Sequence, residues 1–225
     1  QDPLWHPEGD VFTHTLLAID AASSLRTGDE PHDLALMLGV LCHDFGKPLT
    51  TATDGPHIRS RGHEAAGNAP TRAFLKRIGA PPSLMEMVVL LVQHHLAPVH
   101  YRMASDAAYR RLARTLGTHG ATLDLLHTVA RADHLGRTTA DAVARHFPDG
   151  DRFLERSRAL HVELAAPTDV VLGRHLIAHG LTPGPSFGPI LAQCRQVQVD
   201  TGLTDPETIL TLVLNIHHSA HRRGP

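Results

Sequence analysis

The stretch ALMLGVLCHDFGK, Ala35 to Lys47, runs through apolar residues and then ends in an imidazole, a carboxylate and an ammonium. Burying such groups without partners costs several kcal/mol or forces them into neutral forms. Either they face water or a cation compensates them. Neutral imidazoles and carboxylates are the ligand set of borderline divalent ions, so His43 and Asp44 are candidate metal ligands. Further candidates follow in order: His14 in VFTHTLL, His63 in RGHEAAG, His94 and His95 in VVLLVQHHL, and Asp133 in VARADHLGR. Each of these sits near the end of an apolar helical segment, where a site is walled by the core yet open to solvent. Adjacent helical residues point about 100° apart, so an ion above the ridge between them meets both members of His43-Asp44 or His94-His95. Bundled helices can gather such ligands in their interior.

The elements that must position these groups are helical. Apolar residues recur at helical spacing nearly throughout, and helices are expected over about 10–26, 32–44, 63–78, 83–96, 105–117, 121–135, 151–165, 171–179, 187–200 and 206–219. Asp10 is an N-cap type, and Pro31 fits a first helical turn. GAPPS (79–83) ends one helix and starts the next. No alternating strand pattern stands out, so the expected fold class is all-α. Pro167 and the break TPGPSFG (182–188) divide the chain near residue 166 into a larger part, 1–166, and a smaller helical extension, 167–225.

With 225 residues, 42% hydrophobic and 20% charged, the chain can bury a sizeable core. A net charge of -2 gives no global basic field for nucleic acid, so any RNA contact is local. Cys42 and Cys194 make no disulfide framework, and a reducing cytoplasm is the natural location. No stretch approaches the ~18 apolar residues of a membrane span.

Nineteen histidines make a single His-Asp pair a weak signal. The chain contains its own controls. His32-Asp33 follows Pro31 at a helix start, where Asp suits the dipole and His is solvated. His217-His218 stands at a solvated C-terminal helix end. The weight lies in the ordered set, and in Lys47, one of only two lysines against 19 arginines.

That set resembles the HD-domain metal-dependent phosphohydrolases, through His14, His43-Asp44 and Asp133, with His63, His94 and His95 like the subset holding two metals. WHPEGDVFTHTLLAID, LCHDFGKP, GHEAAG and ADHLGR are similar to the HD module of bacterial CCA-adding tRNA nucleotidyltransferases. The tail GRHLIAHGLTPGPSFGPILAQCRQVQVDTGLTD is similar to the helical segment that follows it. Similar modules are joined to kinases in bacterial end-healing proteins. The glycine-rich, two-carboxylate head that adds nucleotides has no counterpart here, nor has the P-loop. The expectation is therefore an HD portion, excised from or working beside a fused or upstream catalytic domain, or a free-standing relative.

The resemblance implies an HD helical bundle holding two divalent transition-metal ions (Mn, Ni, Co, Fe or Zn). His14, His43 and Asp133 would hold one, His63, His94 and His95 the other, and Asp44 would bridge them. Water attacks phosphorus between the ions. Lys47 and Arg137 would stabilise the developing charge, with Arg59 and Arg61 as further phosphate clamps and His57 as a proton donor. The implied substrates are RNA 3′ ends or nucleotide phosphates, above all 2′,3′-cyclic phosphates and 2′-phosphates. The alternatives are free or signalling nucleotides, or a non-catalytic tRNA-positioning module. In the tail, Arg174, His175, His179 and Arg195 are candidate backbone contacts. The SFGPILAQCRQVQVDTG helix reads as core packing, and 4% aromatic content is too sparse for base-stacking platforms.

Overall fold

The computed structural model describes the backbone of residues 1–221 and the side chains of 1–215. The His217-His218 pair thus lies outside the described side chains. Helices dominate: α1 (Val11–Ser23), α2 (Glu30–Cys42), α3 (Lys47–Thr50), α4 (His63–Ala66), α5 (Asn68–Arg77), α6 (Pro82–His94), α7 (Ala97–His100), α8 (Asp106–Gly117), α9 (Leu123–Leu135), α10 (Ala140–Val143), α11 (Pro148–Ala159), α12 (Gly173–Ala178), α13 (Phe187–Thr201) and α14 (Pro206–His221). No helix among the described residues is long and apolar enough to cross a membrane.

Local chemistry sets the helix ends. The Asp10 carboxylate caps α1 by accepting from Thr13 N at 2.8 Å. Thr122 does the same for α9, accepting from Leu125 N at 3.0 Å. Pro31 stands in the first turn of α2. The control aspartate, Asp33, closes the turn between α1 and α2, accepting from Thr27 N at 2.8 Å and Gly28 N at 2.9 Å.

Helix α9 is buried nearly all round and forms the axis of the bundle, with α1, α2 and α11 packed on it. Leu36, Leu91, Leu116, Leu126, Val129 and Phe153 are at the heart of this core. Cys42, Leu75, Val88 and Val92 join α2, α5 and α6 in a satellite cluster. A second core, built on Leu176, Ile190, Cys194, Leu210 and Val213, lies between α12, α13 and α14. It docks on the main bundle through α8: Arg110 Nη1 donates to Val199 O at 2.8 Å, and Arg111 pairs with Asp200 at 2.7 Å.

Besides the short helices α3, α7 and α10, three features differ from the sequence expectation. Residues 51–60 form an antiparallel hairpin, β1 (Thr51–Asp54) and β2 (His57–Ser60), so the fold is mostly helical with one small sheet. Four-residue strands with exposed β1 side chains leave no alternation to read. Its local signal is Gly55-Pro56 as the two-residue turn, with Gly55 at φ +61°. The single helix expected over 63–78 breaks at Gly67, with Pro70 withholding an N–H in the next turn. The helix expected over 151–165 begins at Pro148 and ends at Ala159, just before His161 adopts φ +54°.

His127 on α9 is buried, stacked on Phe147, and its Nε2 has no hydrogen-bond partner. Burial, reinforced by Arg131, lowers its pKa to about 4. The unfolded chain therefore takes up this proton first. The stabilising contribution is full above pH ~6.5 and is lost as pH falls toward 4, by about 2–3 kcal/mol. Urea denaturation at pH 7 and 4.5 should show a smaller acid loss in His127→Phe than in the parent chain.

Candidate metal centre

Five helix ends deliver the central side chains. His14 comes from α1, His43 and Asp44 from the C-terminal end of α2, and His63 from the first residue of α4. His95 caps α6, and Asp133 sits in the last turn of α9. All six are buried. His14, His43 and Asp133 bring one donor atom each to within 4.8 Å of one another, and Asp44, His63 and His95 form a second such set. His14 Nε2 is 3.0 Å from Asp133 Oδ1 and His63 Nε2 is 3.4 Å from Asp44 Oδ1. His43 Nε2 lies between the sets, 3.2 Å from Asp44 Oδ2 and 3.8 Å from Asp133 Oδ1.

The histidine tautomers follow from their backbone partners. His43 Nδ1 donates to Val40 O (2.6 Å), His63 Nδ1 to Ser60 O (2.8 Å) and His95 Nδ1 to Val92 O (2.7 Å). A carbonyl can only accept, so each Nδ1 carries the proton. In the neutral ring each Nε2 therefore has its lone pair turned inward, as metal-ligating histidines are oriented. His63 Nε2 and His95 Nε2 face each other at 3.3 Å, a contact between two acceptors that an intervening proton or cation must relieve. His43 Nε2 is buried and makes no hydrogen bond. This donor set suits borderline divalent ions.

The electrostatics follow burial and charge. Burial opposes a charged His43, but the Asp44 and Asp133 carboxylates outweigh it and raise the pKa to about 9. Burial, with His43 beside it, lowers His95 to about 4. Asp44 and Asp133 are held below the usual carboxylate range despite burial, Asp44 by His43 and Lys47, Asp133 by Arg137 and His14.

Lys47 Nζ lies 2.7 Å from Asp44 Oδ2, and Arg137 reaches Asp133 Oδ2 at 3.6 Å. Both line a cavity of about 350 Å³ above the cluster. His94 joins neither three-residue set. Successive helical residues diverge by about 100°, and His95 is the one that turns inward. His94 is only half-buried, its Nε2 has no hydrogen-bond partner, and burial lowers its pKa. Arg59 and Arg61 do not reach the cavity. Both pair with Asp54, each at 3.2 Å, while Ile58 and Ser60 line the wall. Period-two alternation along β2 separates Ile58 and Ser60 from Arg59. His57 instead pairs with Asp2 at 3.1 Å. In the tail, His179 pairs with Glu207 and Arg195 with Asp169, His175 Nδ1 accepts from Leu172 N, and Arg174 is exposed.

The segment before α1 adds residues that the spacing did not single out. Glu8 Oε1 accepts from His14 Nδ1 and from His6 Nδ1, both at 2.8 Å, and Glu8 Oε2 accepts from Thr138 N at 3.2 Å. His6, Glu8 and His14 form a third close set of donors. Their signal, the HPEGD stretch, has no periodicity and so no predicted facing direction.

No family model and no solved structure matches this chain. The chain spans about a fifth to two fifths of the length of the curated relatives it matches. A protein of Halorhodospira halophila is 41% identical over 96 residues, covering 43% of this chain and 21% of that protein. A protein of Laribacter hongkongensis is 33% identical over 154 residues, 64% and 36% respectively. A protein of Xanthomonas euvesicatoria pv. vesicatoria is 29% identical over 202 residues, 85% and 43%. All three are named multifunctional CCA protein, and it is to proteins of that name that this chain is similar.

Proposed function

We propose that the chain is a metal-dependent phosphohydrolase of the HD type, hydrolysing 2′,3′-cyclic phosphodiesters and 2′-phosphomonoesters at RNA ends or on nucleotides. The supporting observation is the set of three imidazoles with Nδ1 tied to carbonyls and Nε2 turned toward two buried carboxylates under a cavity. His14, His43 and Asp133 would hold one divalent ion and Asp44, His63 and His95 a second, leaving His94 outside both sets. Such ions, when bound, supply an activated water and neutralise phosphoryl oxygens. Similarity to multifunctional CCA proteins favours an RNA-end substrate.

The side chains divide the remaining work. Asp44 presents one oxygen to the His63 side and the other to His43 and Lys47. Lys47 and Arg137 stand at the cavity wall as donors for a phosphoryl group, where one such donor is worth about 2.7–4 kcal/mol of barrier. Glu8 fixes the ring of His14 from behind. We further take residues 1–166 as the hydrolytic unit and 167–225 as its helical extension.

The deciding experiment assays 2′,3′-cyclic nucleotides, 2′-phosphates and deoxynucleoside triphosphates against Mn, Ni, Co, Fe and Zn, beside His43→Ala. Turnover of the first two classes, lost in the variant, is the expected result. Cleavage of triphosphates alone would overturn the substrate assignment. Lys47→Ala should lower kcat by about 10²–10³-fold while changing metal content little. Glu8→Ala should weaken metal binding by roughly 10–100-fold, read by competition with a chelator. Unchanged affinity would remove Glu8 from the site.

A further inference from the structure

Trp5 is the only tryptophan of the chain; it is 59% exposed and lines the cavity above the histidine cluster. It is also held in place. Trp5 N donates to Asp2 O at 3.1 Å. The Asp2 carboxylate in turn accepts from Leu4 N (3.0 Å), His57 Nδ1 (3.1 Å) and Ile58 N (3.3 Å), tying the segment to the hairpin. On its other side the neighbouring His6 ring packs edge-on against His14, with centroids 4.8 Å apart. The backbone that carries the indole is therefore tied down beside the hairpin, and the indole lines the mouth of the cavity that also holds Asp44, Asp133 and Lys47.

Two further observations describe what belongs beside it. Ile58, Leu96 and Val99 give the same cavity an apolar wall. The Gln1 amide also lines it, and both its Nε2 and its Oε1 are buried without a hydrogen-bond partner. A paired donor and acceptor on one planar amide match the edge of a nucleobase, and an indole matches its face. A volume of about 350 Å³ is at the small end of ligand pockets, on the scale of one nucleotide. Aromatic content too sparse for a run of stacked bases is enough for one.

We propose that Trp5, with the Gln1 amide, forms a nucleobase subsite at the mouth of the cavity, selecting phosphate esters that carry a base next to the phosphate. This rests on the phosphohydrolase reading above and names its specificity determinant. Because Trp5 is the only tryptophan, its fluorescence reports the subsite without any turnover.

The test titrates the purified protein with adenosine 2′-monophosphate and, separately, with glycerol 2-phosphate, a phosphate ester without a base. Saturable quenching by the nucleotide and not by glycerol 2-phosphate is expected. Equal responses, or none, would overturn the proposal. In kinetics, Trp5→Ala should narrow the preference in kcat/KM for the nucleotide over glycerol 2-phosphate by roughly five- to a hundredfold, with Trp5→Phe retaining part of it. An equal loss on both substrates would make Trp5 a structural residue and sink the subsite. If the nucleotide quenches selectively but neither ester is hydrolysed, the subsite stands and the hydrolytic reading falls.

Discussion

Asp44→Asn should lower hydrolysis by roughly 10³-fold or more, the scale expected when one member of a cooperating group is removed. Asp44 is a carboxylate that reaches both sets. Its Oδ1 is 3.4 Å from His63 Nε2, and its Oδ2 is 3.2 Å from His43 Nε2 and 2.7 Å from Lys47 Nζ. Asparagine keeps the shape and removes the charge. Metal content measured by elemental analysis should drop to one ion or fewer per chain. The same variant leaves the buried Lys47 ammonium facing a neutral amide. Losing one partner of a buried pair costs about 3–5 kcal/mol, so the metal-free variant should also unfold at lower urea concentration. A variant holding two ions and turning over within tenfold of the parent chain would remove Asp44 from the bridging position.

Gly46→Ala should be about as damaging without touching any ligand. A Cβ at this position would lie 1.9 Å from His63 O and 2.6 Å from Gly67 N. Both neighbours are backbone, so neither can rotate away. The link between α2 and α3 would have to separate from α4, carrying Lys47 away from His63. The expected cost is roughly 3–5 kcal/mol in urea denaturation, at the upper end for an added methyl group. Gly39→Ala is the control. There the nearest atom is Val129 Cγ2 at 3.3 Å, the end of a side chain that can shift. A Gly46→Ala chain as stable as the parent would mean that α3 and α4 do not approach so closely.

The close approach at Gly46 shows how far reading the chain in order can go. HDFGK announces chemistry by its residue types, yet nothing in it says that the glycine is there to admit the backbone of His63. The helical expectation succeeded where apolar residues repeat over several turns, as in α1, α2, α6 and α9. It missed the hairpin, whose strands are four residues long and mostly exposed. The site shows the same division. Six of the seven proposed ligands come together because each lies at or near one end of a helix, and the packing of those helices turns those ends toward one buried point. His94 does not join them: of the His94-His95 pair it is His95 that is buried, tied to Val92 O and set against His63. Arg59 and Arg61 turn to Asp54 because the hairpin fixes which face of β2 meets the cavity.

The sequence by itself determined a helical, core-forming chain and the ordered His and Asp side chains at its helix ends, because periodicity and donor chemistry are local properties. Tertiary structure alone decided which imidazole of His94-His95 faces inward, that Glu8 backs His14, and that Trp5 overlooks the cluster. Those depend on rotation about helix axes and on a segment without periodicity folding back over the hairpin, which only the packing of the whole chain sets.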